Sequence, residues 1–142
     1  MEDIYISSIS LEGTHQCVVA CDSHTVWMYL HDLERSCVLS DSPICSLIEP
    51  ITSDEFKDIY KGKGAPPLVK EYSTDSSIVP DINNQRISVK WANDGLSVVA
   101  FVDNEPFSMI LNDIKNGYSK AICRKGPWGN PWDDQLYADN FG

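Results

Sequence analysis

Between residues 86 and 112 apolar side chains recur at every second position, a period that suits a pleated strand and not a helix. Residues 86–91, 96–103 and 106–112 each read as one strand of an antiparallel meander. Asn93-Asp94-Gly95 joins the first pair; its Asp-Gly dipeptide favours a tight hairpin because glycine accepts positive φ. Asn104-Glu105 joins the second pair. On this pairing Ile87, Val89 and Trp91 share a face with Val98, Ala100 and Val102, and the face continues through Phe107, Met109 and Leu111. A slip of one residue would bury Arg86, Ser88 and Lys90 instead, so the register is strongly specified. Val99 and Phe101 point the other way, so the middle strand is expected to be covered on both faces. Asn116-Gly117 reads as a further turn into a fourth strand over residues 118–124.

The first half has a matching hairpin. Residues 16–22 and 25–31 flank a turn at Ser23-His24, which sets Cys17, Val19 and Cys21 against Leu30, Met28 and Val26. The opposite face carries Trp27, Tyr29 and His31. Residues 3–11 read as a preceding strand, and residues 37–39 and 44–48 as two short ones. One helix is expected. Ser53 can cap it, Asp54 and Glu55 suit the positive end of the helix dipole, and Phe56, Ile59 and Tyr60 form one apolar stripe. Lys61 lies near its end and Gly62 can terminate it. The expected fold is mainly β, on the border of α+β. It is a curved antiparallel sheet, closed partly into a barrel or doubled into a sandwich, with one short helix.

The chain of 142 residues fits a single domain, residues 1–142, with a Trp- and Pro-rich tail, 126–142, packed on it. Breaks fall at residues 61–67 and 73–85, both too short to divide it. Eleven basic and 21 acidic residues give a formal charge of −10. Such a field repels nucleic acid and anionic membranes and attracts a basic protein partner. The N-terminus carries acids where a signal peptide needs bases, no apolar run approaches a membrane span, and the five cysteines are odd in number. These features point to reduced thiols and a cytoplasmic location.

Cys17, Cys21 and His24 have a superficial metal-ligand spacing. On one strand, however, four steps place the cysteine α-carbons roughly 13 Å apart. Sulfurs sharing one zinc lie within about 4 Å of each other. No phosphate loop, nucleophile elbow or HExxH motif is present. A histidine beside Asp22 or Asp32 could act as a base, and Cys123 beside Arg124 and Lys125 could be activated. For Cys123, burial next to Ile122 is the reading expected over activation. No catalytic residue, metal ligand or cofactor is assigned.

Two groups stand out as contact candidates. Trp27, Tyr29 and His31 form an aromatic stripe, which either packs beneath another layer or forms a contact surface. Trp128, Trp132, Asp133 and Asp134 sit in a Pro-stiffened tail. Tryptophans followed by acids suit a basic, apolar groove; alternatively both tryptophans fold back over the sheet, with Tyr137 and Phe141 continuing the cover.

The Asp22-containing turn followed by Trp27 and Tyr29, the run Val89-Lys90-Trp91-Ala92-Asn93-Asp94-Gly95, Asn104-Glu105-Pro106 and Gly117-Tyr118 together span about two-thirds of the chain. Their order resembles a family of small uncharacterised bacterial proteins, the DUF2251-like domain of unknown function. The resemblance implies a bacterial origin and carries no catalytic residue. Small size, strong acidity and aromatic contact candidates lead to the expectation of a non-enzymatic acidic binding protein, such as a bacterial immunity protein or toxin inhibitor. The alternatives are a small-ligand sensor or carrier, with a pocket lined by Trp and Met beneath the helix, and a hydrolase using Asp, Glu and His. Oligomeric state is left open.

Overall fold

The computed structural model describes residues 4–22, 24–60, 62 and 66–142. Asp3, Ser23, Lys61 and residues 63–65 of the expected break lie outside them. The chain forms two sheets. Strands β1 (Tyr5–Ile9), β2 (His15–Asp22), β3 (Thr25–Asp32) and β4 (Cys37–Ser46) run antiparallel in sequence order. The second sheet holds β5 (Ile87–Trp91), β6 (Val98–Val102), β7 (Glu105–Ile110), β8 (Tyr118–Ser119) and β9 (Asn130–Pro131), again in order, with only the last pair parallel. Helix α1 (Ser53–Ile59) follows the first sheet, and helix α2 (Asp134–Phe141) ends the chain. The architecture is mainly β, built from two facing sheets and not from a closed barrel.

The core between the sheets is written by alternation. Cys17, Val19, Val26, Met28, Leu30 and Ile44 from the first sheet meet Ile87, Val98, Ala100, Val102 and Ile110 from the second. Cys17 pairs with Leu30, Val19 with Met28 and Cys21 with Val26, as the sequence pattern requires. Ile87 pairs with Val102, Val89 with Ala100 and Trp91 with Val98, which leaves Ser88 and Lys90 exposed on the opposite face.

The third strand of the meander departs from simple alternation. A bulge between Ala100 and Phe101 skips Phe107, so Ser108 and Ile110 join the inner face. Phe107 still packs on that core, but Met109 and Leu111 turn outward to join Val99 under α2. A bulge reverses the phase of every residue after it, so strict alternation misplaces these two side chains. The hairpin turn before this strand is Asp103-Asn104, one residue earlier than expected, with φ of 53° and 69°. Two left-handed residues are what a two-residue hairpin matched to sheet twist requires.

Four more expectations are corrected. Residues 37–39 and 44–48 are not two strands; the single ten-residue β4 replaces them, broken in register twice against β3. The expected fourth strand over 118–124 stops at Ser119, because Lys120 turns away and Ala121 and Ile122 join another apolar cluster. Thr52, not Ser53, caps α1: its hydroxyl accepts from Glu55 N–H while Glu55 reaches back to Thr52 N–H, a capping box. Ile59 remains exposed, so only Phe56 of the proposed stripe is drawn toward a core.

Both outer faces are covered in part. Leu68, Val69, Ala121, Ile122 and Trp128 enclose Trp27 against the first sheet. On the second sheet Phe141, Trp132, Leu136 and Tyr137 cover Val99, Met109 and Leu111. Helix α2, unforeseen behind the prolines of the tail, starts where Asp133 accepts from Leu136 N–H at 3.0 Å. Between β4 and β7 the Ser42 and Ser108 hydroxyls meet at 2.5 Å. Gly117 is required beside them: a β-carbon there would lie 2.4 Å from that of Ser42 and 2.5 Å from the Met109 carbonyl oxygen.

Candidate functional site

The contact residues expected from sequence do not form one surface. Trp27 is 3% exposed and Trp128 8%, both in the cluster on the first sheet. Trp128 donates from Nε1 to the Pro67 carbonyl at 3.1 Å and packs edge-on against Phe56 at 5.6 Å. Tyr29, half-buried, stacks on Trp27 at 6.4 Å between centroids. Burial and the negative charges of Asp22 and Asp41 push its hydroxyl up to about 12. His31 lies half-buried near the end of β3, opposite Gln16 and Val38. Trp132 belongs to the other outer cluster, with Tyr137 at 5.5 Å and the Lys120 ammonium at 5.2 Å over its ring. Its Nε1 donates to Asp134 at 2.7 Å, and Asp133 caps α2. The tail acids are thus engaged within the fold, and Trp27 and Trp128 are core, because burying two large rings outweighs displaying them.

The cysteines divide. Cys17 and Cys45 are buried, and burial pushes both thiols up to about 12. Cys123 is exposed, not buried as its neighbour Ile122 suggested, with Sγ 3.6 Å from the Glu71 carbonyl. No group of three or more His, Cys, Asp or Glu among the described residues is placed to hold a metal. Asp41, facing Tyr29 across β3 and β4, has its carboxyl raised by burial.

A different surface emerges at the end of the two sheets where four turns converge. The β1–β2 turn and the β3–β4 turn are joined by Leu33 N–H donating to Thr14 carbonyl at 3.0 Å. Gly95, in the β5–β6 turn, faces the β1 end: a β-carbon added there would lie 3.9 Å from that of Ser10. Ser40 Oγ donates to the Lys115 carbonyl in the loop after β7. Each turn contains a residue at positive φ: Gly13, Ser36, Gly95 and Asp113. Such turns are fixed by their own backbone geometry, and a preformed surface loses little entropy on binding.

This end carries most of the fold's unburied apolar bulk. Ten large hydrophobic side chains are exposed among the described residues, and Ile9, Leu11, Leu33, Val38, Leu39 and Ile114 lie here. Leu11 is 101% exposed. Between the sheets the same end opens into a cleft of about 250 Å³, whose walls include His15, Leu39, Leu96, Leu111 and Ile114. Asp113 and Lys115 also line it, and the turns and strand ends here carry Glu12, Asp32, Glu34 and Asp94 beside Arg35. Asp32 is held by Arg35 at 3.7 Å, and Asp94 accepts from Leu96 N–H at 2.8 Å.

Sequence reasoning passed over these apolar residues, although a signal existed. Leu11, Leu33 and Ile114 are each stranded in a polar turn (Leu11-Glu12-Gly13, Asp32-Leu33-Glu34-Arg35 and Asp113-Ile114-Lys115-Asn116), where solvation gives an apolar side chain no reason to be. The charge pattern was legible too. The first 34 residues contain six acids and no lysine or arginine.

No family model, curated protein or solved structure matches the chain. No helix among the described residues is long and apolar enough to cross a membrane.

Proposed function

We propose that the chain is a non-enzymatic acidic binding protein that docks a basic protein partner through the turn-lined end, in the manner of a bacterial immunity protein or toxin inhibitor acting in the cytoplasm. The observation that carries this reading is the placement of six exposed aliphatic side chains and five acids on the turns and strand ends at one end of the two sheets. A contiguous apolar patch rimmed by polar groups marks an interaction surface. The acids steer a basic partner toward it, and the aliphatic centre supplies the desolvated contact.

The sensor alternative is less well supported. The cleft, at about 250 Å³, is smaller than the ~300–1,000 Å³ usual for small-molecule sites. Helix α1 packs by Phe56 on Trp128 and does not line this cleft, while Met28 and Met109 are fully buried.

The test is affinity capture from cells that encode the protein, with wild type beside the Leu11→Lys/Val38→Lys variant. Both side chains are exposed, so folding should survive. Wild type should retain a basic protein at about 50 mM salt and lose most of it near 0.5 M, where charges are screened within a few ångströms. The variant should retain none. Equal capture by both proteins at both salt concentrations would remove the proposal.

A further inference from the structure

We propose that β1 is a strand-accepting edge, to which an extended basic segment of a partner protein adds as a fifth strand of the first sheet. This deepens the reading of a basic partner and rests on it for the partner's identity.

The geometry follows from hydrogen-bond phase. Ser10 N–H donates to the His15 carbonyl at 2.9 Å. Antiparallel ladders alternate, so the even-numbered residues of β1 turn their main-chain groups toward β2 and the odd ones turn them outward. Tyr5 confirms the phase: its N–H points off the sheet and donates to Asn84 Oδ1 at 2.9 Å. The N–H and C=O groups of Ser7 and Ile9 share that outward direction, and among the described residues no hydrogen bond engages them. The odd side chains, Tyr5, Ser7 and Ile9, are exposed, with Tyr5 at 59% and Ile9 at 56%.

Edges that must not pair are usually protected by charge, proline, a bulge or cover. Strand β4 is covered, since Asp41 and Ser46 form bridges to Asn116 and Ile78. Strand β5 carries the exposed Lys90 and has Arg86 just before it. β9 has only two residues. Asn84 covers β1 only at Tyr5; from Ile6 to Ile9 none of these devices is present among the described residues, since the sequence there is Ile-Ser-Ser-Ile and the pairing with β2 has no irregularity.

Charge selects the occupant. With six acids and no lysine or arginine in the first 34 residues, a second copy of this chain would set acidic segments against each other. A basic strand is attracted. Its alternate residues would lie beside Tyr5 and Ile9, which favours apolar groups at those positions. Ile9 also belongs to the apolar end, so one partner can cover both.

The probe is a seven-residue peptide alternating lysine and valine, with a glutamate–valine peptide as control and amide hydrogen exchange read by NMR. The lysine peptide should slow exchange at Ser7 and Ile9 at least tenfold, less so in high salt, and the glutamate peptide should not. Methylating every second peptide nitrogen of the lysine peptide, on the side that donates to the edge, should abolish the effect with wild-type protein. Ser7→Pro removes an outward N–H and no ladder bond, so it should fold and lose the protection. No slowing at millimolar peptide, equal slowing by the glutamate peptide, or slowing confined to Ile87–Trp91 would each overturn the proposal. If the captured partner still binds Ser7→Pro but not Leu11→Lys/Val38→Lys, strand addition falls while the docking end stands. If the peptide protects Ser7 and Ile9 but no basic partner is captured, the edge stands and the functional reading falls.

Discussion

Trp27 and Trp128 share one apolar cluster but differ in a single respect, and replacing each by phenylalanine turns that difference into a measurable gap. Trp128 Nε1 donates to the Pro67 carbonyl at 3.1 Å, whereas the buried Nε1 of Trp27 has no hydrogen-bond partner among the described residues. Either substitution leaves a void of roughly 40 Å³, costing about 1 kcal/mol at about 24 cal/mol per Å³. Trp128→Phe also loses a hydrogen bond and leaves a part-buried carbonyl unpaired, for about 1–2 kcal/mol more. Trp27→Phe instead removes a buried orphan donor, recovering about 1–3 kcal/mol of desolvation and offsetting its void. The two variants should therefore differ by about 3 kcal/mol, with Trp27→Phe near wild type. At roughly 3–4 °C per kcal/mol for a chain of this size, the gap in melting temperature is about 10 °C. Thermal unfolding followed by circular dichroism, with urea midpoints as a check, measures it. Equal losses in both variants would refute the placement of the tail over the first sheet.

Gly117→Ala should cost about 3 kcal/mol, because the added methyl meets Ser42 and the Met109 carbonyl at a close approach of packed strands; urea unfolding reads the loss. Arg86 holds Asp103 by hydrogen bonds of 2.8 and 2.6 Å and draws its carboxyl below the ordinary value. A depressed carboxylate contributes stability above its unfolded value and loses it as pH falls through its folded one. Arg86→Met should therefore return the Asp103 carboxyl toward its ordinary range by NMR titration, and flatten the acid limb of the stability profile. An unchanged Asp103 titration would remove the pairing.

Alternation made both main hairpins legible, since period two with one greasy face leaves a single workable register for β2–β3 and for β5–β6. The facing pairs from Cys17 to Val26 and from Ile87 to Val102 follow directly. Where the pattern misled, a non-periodic device intervened. The bulge at Phe107 exchanges Met109 for Ile110, and the two shifts in β4 let one long strand look like two short ones. Helix α2 was hidden because the prolines before it mask a start that Asp133 supplies from outside the helix. The turn-lined end, proposed as the docking surface, was the least legible part. It is assembled from four turns far apart in the chain, and the same residue types that suggested contacts, Trp27 and Trp128, also build cores. Apolar residues inside polar turns are the better signal, because neither solvation nor strand period explains them.

The most direct measurement is methyl NMR of the protein labelled at isoleucine, leucine and valine, titrated with the basic protein that it captures. The Ile9, Leu11, Leu33, Val38, Leu39 and Ile114 methyls should shift or broaden together, while those of Leu68, Val69 and Ile122 under the tail stay in place. Perturbation centred on the tail cluster with the turn-lined end unmoved would contradict the assignment of that end as the docking surface.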